Sequence, residues 1–561
     1  MKIDINTIGY RWRGIYSQNI AYIDQDVVTQ NGHAKVWRNG GLEDFAPGQQ
    51  DALLYGQVLK GGGGVAGSWG QVLTVDSTGN LVFRYDQDRN GTIATAIVNT
   101  DNFTGAYYGA SLRWMAASMA EGDVRVWGRN NSGTLGFGRT DDVSYSQPKT
   151  YGLPQGAPPI AKLYANYDQS YFLDTAGGLW TAGPNSENCS GTGAVRYIPT
   201  KVNGFGELPA SAVVTKVFSG CDQNGSRTQG CIDSNGRVYM WGNNALGCMG
   251  LGDATARTLP TLIPFTATTP IKDAYCSSGT YPNSWLIDTN GRLWVAGSGY
   301  AGGLGADQNR HKLFAPWGTY DTVRRVRHSE GVYDPGADPN YNGTQIIMDN
   351  GRLYMWGNNA EQIGGAWGNG VGTAVWSDSL LFPVDATPSG KSVVDCYSLR
   401  NGYSRTIALL SDGTVWGTGY STGNSQGFLG TNADRTNWAQ IGAGYLENVT
   451  KIDVKGTSST GFAMALRSDG KAVGWGWSNH GADGGGQYQI ASPQYPNKFV
   501  ALSNKTIIDF AISGAALDGD IQMSTTFLCS DGTVWVTGYG SNGMNGASYD
   551  SDRGTPIQII F

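Results

Sequence analysis

Apolar and polar positions along the chain follow one short unit that recurs eight times. A glycine opens the unit, five residues rich in β-branched and aromatic side chains follow, and a second glycine closes it. The pairs are Gly122 and Gly128, Gly177 and Gly183, Gly236 and Gly242, Gly291 and Gly297, Gly351 and Gly357, Gly413 and Gly419, Gly470 and Gly476, and Gly532 and Gly538. The opening glycines lie 55, 59, 55, 60, 62, 57 and 62 residues apart. In six units Asn or Asp stands just before the opening glycine (Asn235, Asn290, Asn350, Asp412, Asp469, Asp531). Apolar runs precede the turn, as in 284–287, 344–348 and 406–410. This pattern predicts a β-hairpin whose two-residue turn needs positive φ.

Tryptophan falls at the third or fifth place after the opening glycine: Trp127, Trp180, Trp241, Trp294, Trp356, Trp416, Trp475 and Trp535. The two offsets share parity, so the indoles lie on one face of the strand. A lone hairpin cannot bury such a face. The repeat length suits about four short strands with their loops, which is one propeller blade. A ring of blades also removes free sheet edges. The expected fold is all-β: a β-propeller of seven or eight four-stranded blades over residues 96–561, with a small β-rich attachment module over 1–95. The terminal segment 555–561 is expected to pair near 95–98 and close the ring.

Composition agrees with many short strands and tight turns. Glycine makes up 84 of 561 residues and charged residues only 15%, with 18 Trp and 29 Tyr. Disordered chains show the opposite bias. The formal net charge is −6, and the densest basic run is Arg324-Arg325-Val326-Arg327. That footprint is too small for nucleic-acid phosphates, so no nucleic-acid partner is expected. No segment reaches the roughly 20 apolar residues of a membrane span. The N-terminus has no apolar signal core. The seven cysteines are scattered, with no Cys-x-x-Cys pair, and read as reduced, buried small hydrophobes.

The stretch 233–244 with Gly250-Leu-Gly-Asp253, and 350–359 with Ile363-Gly364, resemble the repeat of the regulator of chromosome condensation family. The resemblance covers about 100–561 and implies four-stranded blades. That family usually has seven, whereas eight hairpins are present here. Residues 1–95 lack the phased glycines. Trp12–Tyr16, Asp26–Val28, Asn31-Gly32 and the stretch 70–83 resemble small modules of bacteriophage tail-fibre and appendage proteins and some carbohydrate-binding modules. A flexible joint at Gly61–Gly64 lies between them.

Candidate chemistry is sparse. His33, His311, His328 and His480 form no zinc pattern. Ser421 sits in a G-x-S-x-G match that enters a glycine-rich loop rather than a helix. Ser389–Ser392 lacks the first glycine of a phosphate loop, its place being taken by Asp385. Asp86, Asp88 and Asn90, followed by Gly91, begin a calcium-type loop, but Ile97 holds the place of the bidentate carboxylate. Asp338, Asn340 and Asn342 begin a second one. Both are also ordinary turn sequences. The turn reading is favoured in both, so no cofactor is expected, with calcium at these loops as the alternative. Trp317, Trp367, Trp376, Trp438 and Trp477 lie between hairpins and are candidate ligand-binding aromatics, since indoles stack on sugars or anchor proteins.

The phased residues build the ring, so binding is assigned to the loops. The N-terminal resemblance implies a non-enzymatic virion structural protein of a bacteriophage. It would be a tail-fibre or capsid-appendage protein, made in the host cytoplasm and displayed on the virion surface. Its partners would be other virion proteins through the N-terminal module and a host-surface glycan or protein, with homo-oligomerisation open. The propeller resemblance implies an alternative, a guanine-nucleotide exchange factor or other interaction scaffold. A glycan depolymerase is a third reading, because loops can assemble paired carboxylates without a linear motif.

Overall fold

The computed structural model describes most side chains from Val124 to Ile560 and, before that, the backbone of strands only. Loop segments left outside the description include 298–310, 330–342, 358–383 and 486–498. The chain forms two compact units, Met1–Thr92 with Phe561, and Ile93–Ile560. The first unit holds a five-stranded sheet (Ile3–Ile5, Tyr10–Ile15, Asp26–Gln30, His33–Arg38, Gly41–Asp44) and a hairpin of Gln71–Val75 with Leu81–Tyr85.

The second unit is an all-β propeller. Its blades begin with the strands Ile93–Ile97, Ile160–Asn166, Val214–Cys221, Ile271–Cys276, Val323–Ser329, Val393–Leu399, Val449–Gly456 and Ile507–Leu517, numbered here as blades 1 to 8. Seven blades are complete, with four antiparallel strands in chain order. The sheet of the seventh repeat shows three. There Val500 takes the place that ends a fourth strand elsewhere. Its N–H donates to the Ala472 carbonyl at 2.8 Å, as Ile441 donates to Val415 at 2.8 Å. The first strands pack side by side, as 214–221 on 271–276 and 393–399 on 449–456, and so wall a central channel.

The repeat turn differs from the expected two-residue form. In blade 3, the Asp233 N–H donates to the Arg237 carbonyl at 3.0 Å and the Gly236 N–H to the Asp233 carbonyl at 2.9 Å. This is a three-residue loop whose last residue is left-handed. The seven described opening glycines have φ between +73° and +81°. The phased glycines therefore keep their role under a different turn geometry. The Asp233 carboxylate accepts from the Asn235 and Arg237 amides at 3.0 and 2.9 Å, which fixes the loop.

Among the described residues the same turn joins each blade from 2 to 7 to the next. The leading amide of the following first strand donates to the glycine carbonyl: Val214 to Gly177, Ile271 to Gly236, Val323 to Gly291, Val393 to Gly351, Val449 to Gly413 and Ile507 to Gly470, at 2.8–3.1 Å. A Cβ on Gly236 would lie 2.3 Å from Pro270 Cβ. The close approach needs glycine as much as the positive φ does. Six closing glycines (Gly128, Gly183, Gly242, Gly297, Gly419, Gly538) sit where the third strand slips register against the fourth. A Cβ on Gly242 would meet the Arg227 carbonyl at 2.3 Å.

Apolar cores lie between blades, and the phased tryptophans face the preceding blade. Trp241 is fully buried with Tyr164, Tyr171 and Leu208 of blade 2, and its Nε1 donates to the Cys189 carbonyl at 2.8 Å. Trp475 does the same against blade 6, donating to the Phe428 carbonyl at 2.9 Å.

Ring closure departs from expectation. The strand Arg553–Ile559 pairs within blade 8, while Ile93–Ile97 pairs within blade 1. The last and first blades instead meet face to face, Ile507–Leu517 packing on Ile93–Ile97. The indole joint recurs there. Gly546 of blade 8 lies against Trp127 of blade 1 as Gly191 of blade 2 lies against Trp241 of blade 3, an added Cβ falling 2.9 and 3.0 Å from the two rings. With a full fourth strand of its own, blade 8 has no need of one from the N-terminus.

Gly546→Ala and Gly191→Ala are expected to destabilise the propeller by about 2–4 kcal/mol each, combining left-handed strain with overpacking. Gly444→Ala, with φ +85° and open space around it, should cost only about 1–2 kcal/mol. Equilibrium denaturant unfolding of the three variants checks the order.

Candidate functional site

The channel wall carries a column of charged residues. Each first strand from blade 2 to blade 8 opens on a buried β-branched residue: Ile160, Val214, Ile271, Val323, Val393, Val449, Ile507. Two positions on stands a charged residue: Lys162, Lys216, Asp273, Arg325, Asp395, Lys451, Asp509. In all seven strands the register with the second strand slips between these two positions. Such a bulge re-aims a side chain. Here it brings a charged group to the end of the channel where the repeat turns sit.

These groups pair across blade boundaries. Lys216 of blade 3 pairs with Asp273 of blade 4. Arg325 of blade 5 pairs with Asp395 of blade 6, and Lys451 of blade 7 with Asp509 of blade 8, each at 2.7 Å. Asp395 also takes the Arg327 guanidinium, Nε to Oδ1 at 3.1 Å and Nη2 to Oδ2 at 2.9 Å. Arg327 lies 4.6 Å from the Tyr397 ring centroid and donates to its hydroxyl at 2.9 Å. The Tyr275 hydroxyl donates to Asp273 Oδ2 at 2.9 Å. Arg324 Nη2 donates to the Val393 and Val394 carbonyls at 2.5 and 3.0 Å.

Burial pulls the Lys216 ammonium below the usual lysine range, with Asp273 opposing it. Burial pushes the Asp395 carboxyl up, but Arg327 and Arg325 outweigh it and hold the group below the usual carboxylate range.

The first strands hold eight basic side chains (Lys162, Lys216, Lys272, Arg324, Arg325, Arg327, Lys451, Lys455) and four acidic ones (Asp273, Asp395, Asp453, Asp509). The inner wall is thus formally positive in a chain whose formal net charge is −6. Guanidiniums bind carboxylates through two parallel hydrogen bonds, as Arg327 does at Asp395.

The structure distributes the sequence-predicted residues differently. Trp438, half-buried, packs on the core between blades 5 and 6, its Nε1 donating to the Ala386 carbonyl at 2.9 Å. Trp477 packs on the core between blades 7 and 8, and its buried Nε1 has no hydrogen-bond partner among the described residues. Trp317, Trp367 and Trp376 lie outside the described residues, as do Asp86, Asp88, Asn90, Asp338, Asn340 and Asn342. Among the described residues no three His, Cys, Asp or Glu side chains converge as a metal site. Ser421 is buried, its hydroxyl donating to the Thr431 carbonyl at 2.5 Å and its amide to Asp434 at 2.7 Å. His480 Nδ1 contacts Asp552 at 2.6 Å. The six described cysteines are free thiols and buried.

Sequence reasoning passed over the charged column. In sequence the run Arg324–Arg327 reads only as a small basic footprint, whereas in the fold Arg325 and Arg327 clamp blade 5 to blade 6. The signal was present in Val214-Thr-Lys216, Val323-Arg-Arg325 and Val449-Thr-Lys451, but it appears only when the repeats are aligned on their turn glycines.

Residues 235–280 match the family model for the Regulator of chromosome condensation (RCC1) repeat. The propeller is RCC1-like. The chain is 24% identical over 441 residues to the RCC1 domain-containing protein RUG3, mitochondrial, of Arabidopsis thaliana, covering 78% of this chain and 82% of that protein. It is 27% identical over 136 residues to the X-linked retinitis pigmentosa GTPase regulator of Canis lupus familiaris, covering 24% of this chain and 12% of that protein. A crystal structure of human WBSCR16 aligns with TM-score 0.49 at 18% identity, covering 72% of this chain and 98% of that one. These relatives are proteins of plants and mammals. They overturn the expectation of a bacteriophage tail-fibre or capsid-appendage protein on a virion surface, and with it the expected virion partners. The short N-terminal likenesses behind that expectation had no support from the much longer propeller.

Asp395→Asn leaves two half-buried guanidiniums without their shared carboxylate and is expected to cost about 2–4 kcal/mol. Because the folded Asp395 value lies below the unfolded one, its contribution is complete above about pH 4 and is lost as pH falls through the folded value. The variant should therefore flatten the acid limb of a stability-versus-pH curve measured by urea unfolding.

Proposed function

We propose that this chain is a non-catalytic regulator that binds a partner protein on the propeller, with a small GTPase as the partner class. The observation that carries the reading is the partly exposed charged column on the inner strands of an RCC1-like propeller. Such a surface suits polar recognition, and charge complementarity sets specificity and association rate. The relative named as a GTPase regulator directs the reading to that partner class. The hydroxyl of Ser421, the one residue in a nucleophile-like motif, is engaged by a backbone carbonyl, which favours binding over hydrolysis. The separate unit Met1–Thr92 is assigned the role of tether.

The full chain, added to a panel of small GTPases loaded with fluorescent GDP, is expected to accelerate nucleotide release from one of them by about tenfold or more. Arg325→Glu should abolish the effect. Failure to bind any GTPase of the panel or to change its release rate would overturn the reading.

A further inference from the structure

We propose that the Asn-Gly pairs at the turns of blades 3, 4 and 5 are deamidation sites that the blade joints hold shut. The pairs are Asn235-Gly236, Asn290-Gly291 and Asn350-Gly351, and all three asparagines are exposed to water. In an open chain such a pair reacts without an enzyme, because glycine has no side chain to hinder approach. The glycine nitrogen loses its proton to base and bonds to the asparagine Cγ. The Cγ–Nδ2 bond breaks, ammonia leaves with a proton, and a five-membered cyclic imide remains. One water then opens the imide at either carbonyl, giving aspartate or isoaspartate.

The fold blocks the first step twice. The attacking nitrogen is engaged: Gly236, Gly291 and Gly351 donate their N–H to the Asp233, Asp288 and Met348 carbonyls, each at 2.9 Å. Ring closure also needs the asparagine Cβ eclipsed with that nitrogen. In the three-residue loop the asparagine ends a type I turn with ψ near about 0°, which holds the two roughly 120° apart. Rotating them into line swings the glycine away from the next blade. Its carbonyl is held there by the Ile271, Val323 or Val393 amide at 2.8–3.1 Å. Gly291 is also packed on Thr322, an added Cβ falling 2.6 Å from the Thr322 Cβ. The asparagine therefore reacts when the joint to the next blade opens.

Blades 6 to 8 carry a poorer electrophile at the same place. The Asp412, Asp469 and Asp531 carboxylates each accept from the amide two residues on, at 3.0–3.1 Å. Asn350 Oδ1 accepts the Arg352 amide in the same way at 3.0 Å. An ionised carboxylate resists attack, and Lys391 and Thr414 hold the Asp412 carboxyl down to about 2. The turn thus accommodates the aspartate product. Isoaspartate is different, because its main chain runs through the former side chain and is one atom longer. The glycine carbonyl then misses the next blade, and the opened joint cannot reclose.

The test incubates the folded full chain, and synthetic peptides spanning each turn, in mildly alkaline buffer. Mass spectrometry reads conversion peptide by peptide, and enzymatic methylation reads isoaspartate. Each of the three asparagines should convert more slowly in the folded chain by about tenfold or more. Val323→Pro removes the amide that holds the Gly291 carbonyl. It should raise conversion at Asn290 by about tenfold and leave Asn235 within about twofold of the parent. If that variant does not fold, sub-denaturing urea on the parent chain opens the joints instead. Conversion should then rise in step with hydrogen exchange of the Ile271, Val323 and Val393 amides. Asn235→Asp should leave the Ile271 amide as protected as in the parent, whereas chains with isoaspartate at 235 should lose that protection. Four results would each overturn the proposal: conversion in the folded chain at the peptide rate, no response to an opened joint, an unprotected Ile271 amide in Asn235→Asp, or a protected one beside isoaspartate.

Discussion

Everything in the propeller depends on a hydrogen bond between the first amide of one blade and the carbonyl of the turn glycine in the blade before it. The bond recurs six times among the described residues, at 2.8–3.1 Å. It forms only because the donor strand comes within contact distance of a residue with no Cβ. Each hairpin alone has an apolar face and a marginal stability. The joint sets the distance and angle at which the next blade covers that face. In blades 3 and 7 the indole of the third strand then reaches back into the preceding blade and finds a carbonyl there, Trp241 at Cys189 and Trp475 at Phe428. One turn geometry thus positions the blade-to-blade cores.

The joint also determines where charge can go. The first strand is fixed at its leading residue, and it bulges within two positions. The side chain at the bulge is presented to the neighbouring blade near the channel mouth. Three of these contacts are ion pairs, in which the attraction between the partners opposes the desolvation that burial imposes. Blade 5 carries more cations than its neighbour can neutralise, since Arg325 and Arg327 share the single carboxylate of Asp395. The inner wall is therefore both a set of clamps and a positive surface. The binding reading follows from the second property.

Much of the fold was legible in the sequence because the turn glycines and tryptophans are local necessities. Positive φ and close approach admit few residues, so Gly236 and Gly242 leave a readable trace. The type of turn was misread because Asn-Gly serves both two- and three-residue loops, and the distinction lies in hydrogen bonds at Asp233 and Arg237 that spacing does not encode. Ring closure was misread for a related reason. The strand at 553–559 has strand character wherever it pairs, and only the completeness of blade 8 decides its partner. The charged column was hidden by its chemistry: Lys, Arg and Asp alternate at one structural position, so no single residue type repeats. The functional expectation failed because it rested on short N-terminal likenesses, whereas the relatives match along the propeller.

Native-state hydrogen exchange of the Val214, Ile271, Val323, Val393, Val449 and Ile507 amides tests the account most directly. If the glycine joints bind the blades into one cooperative ring, these six amides exchange only through global unfolding, with a common free energy equal to that of the whole propeller. Exchange at separate, lower free energies, blade by blade, would contradict it.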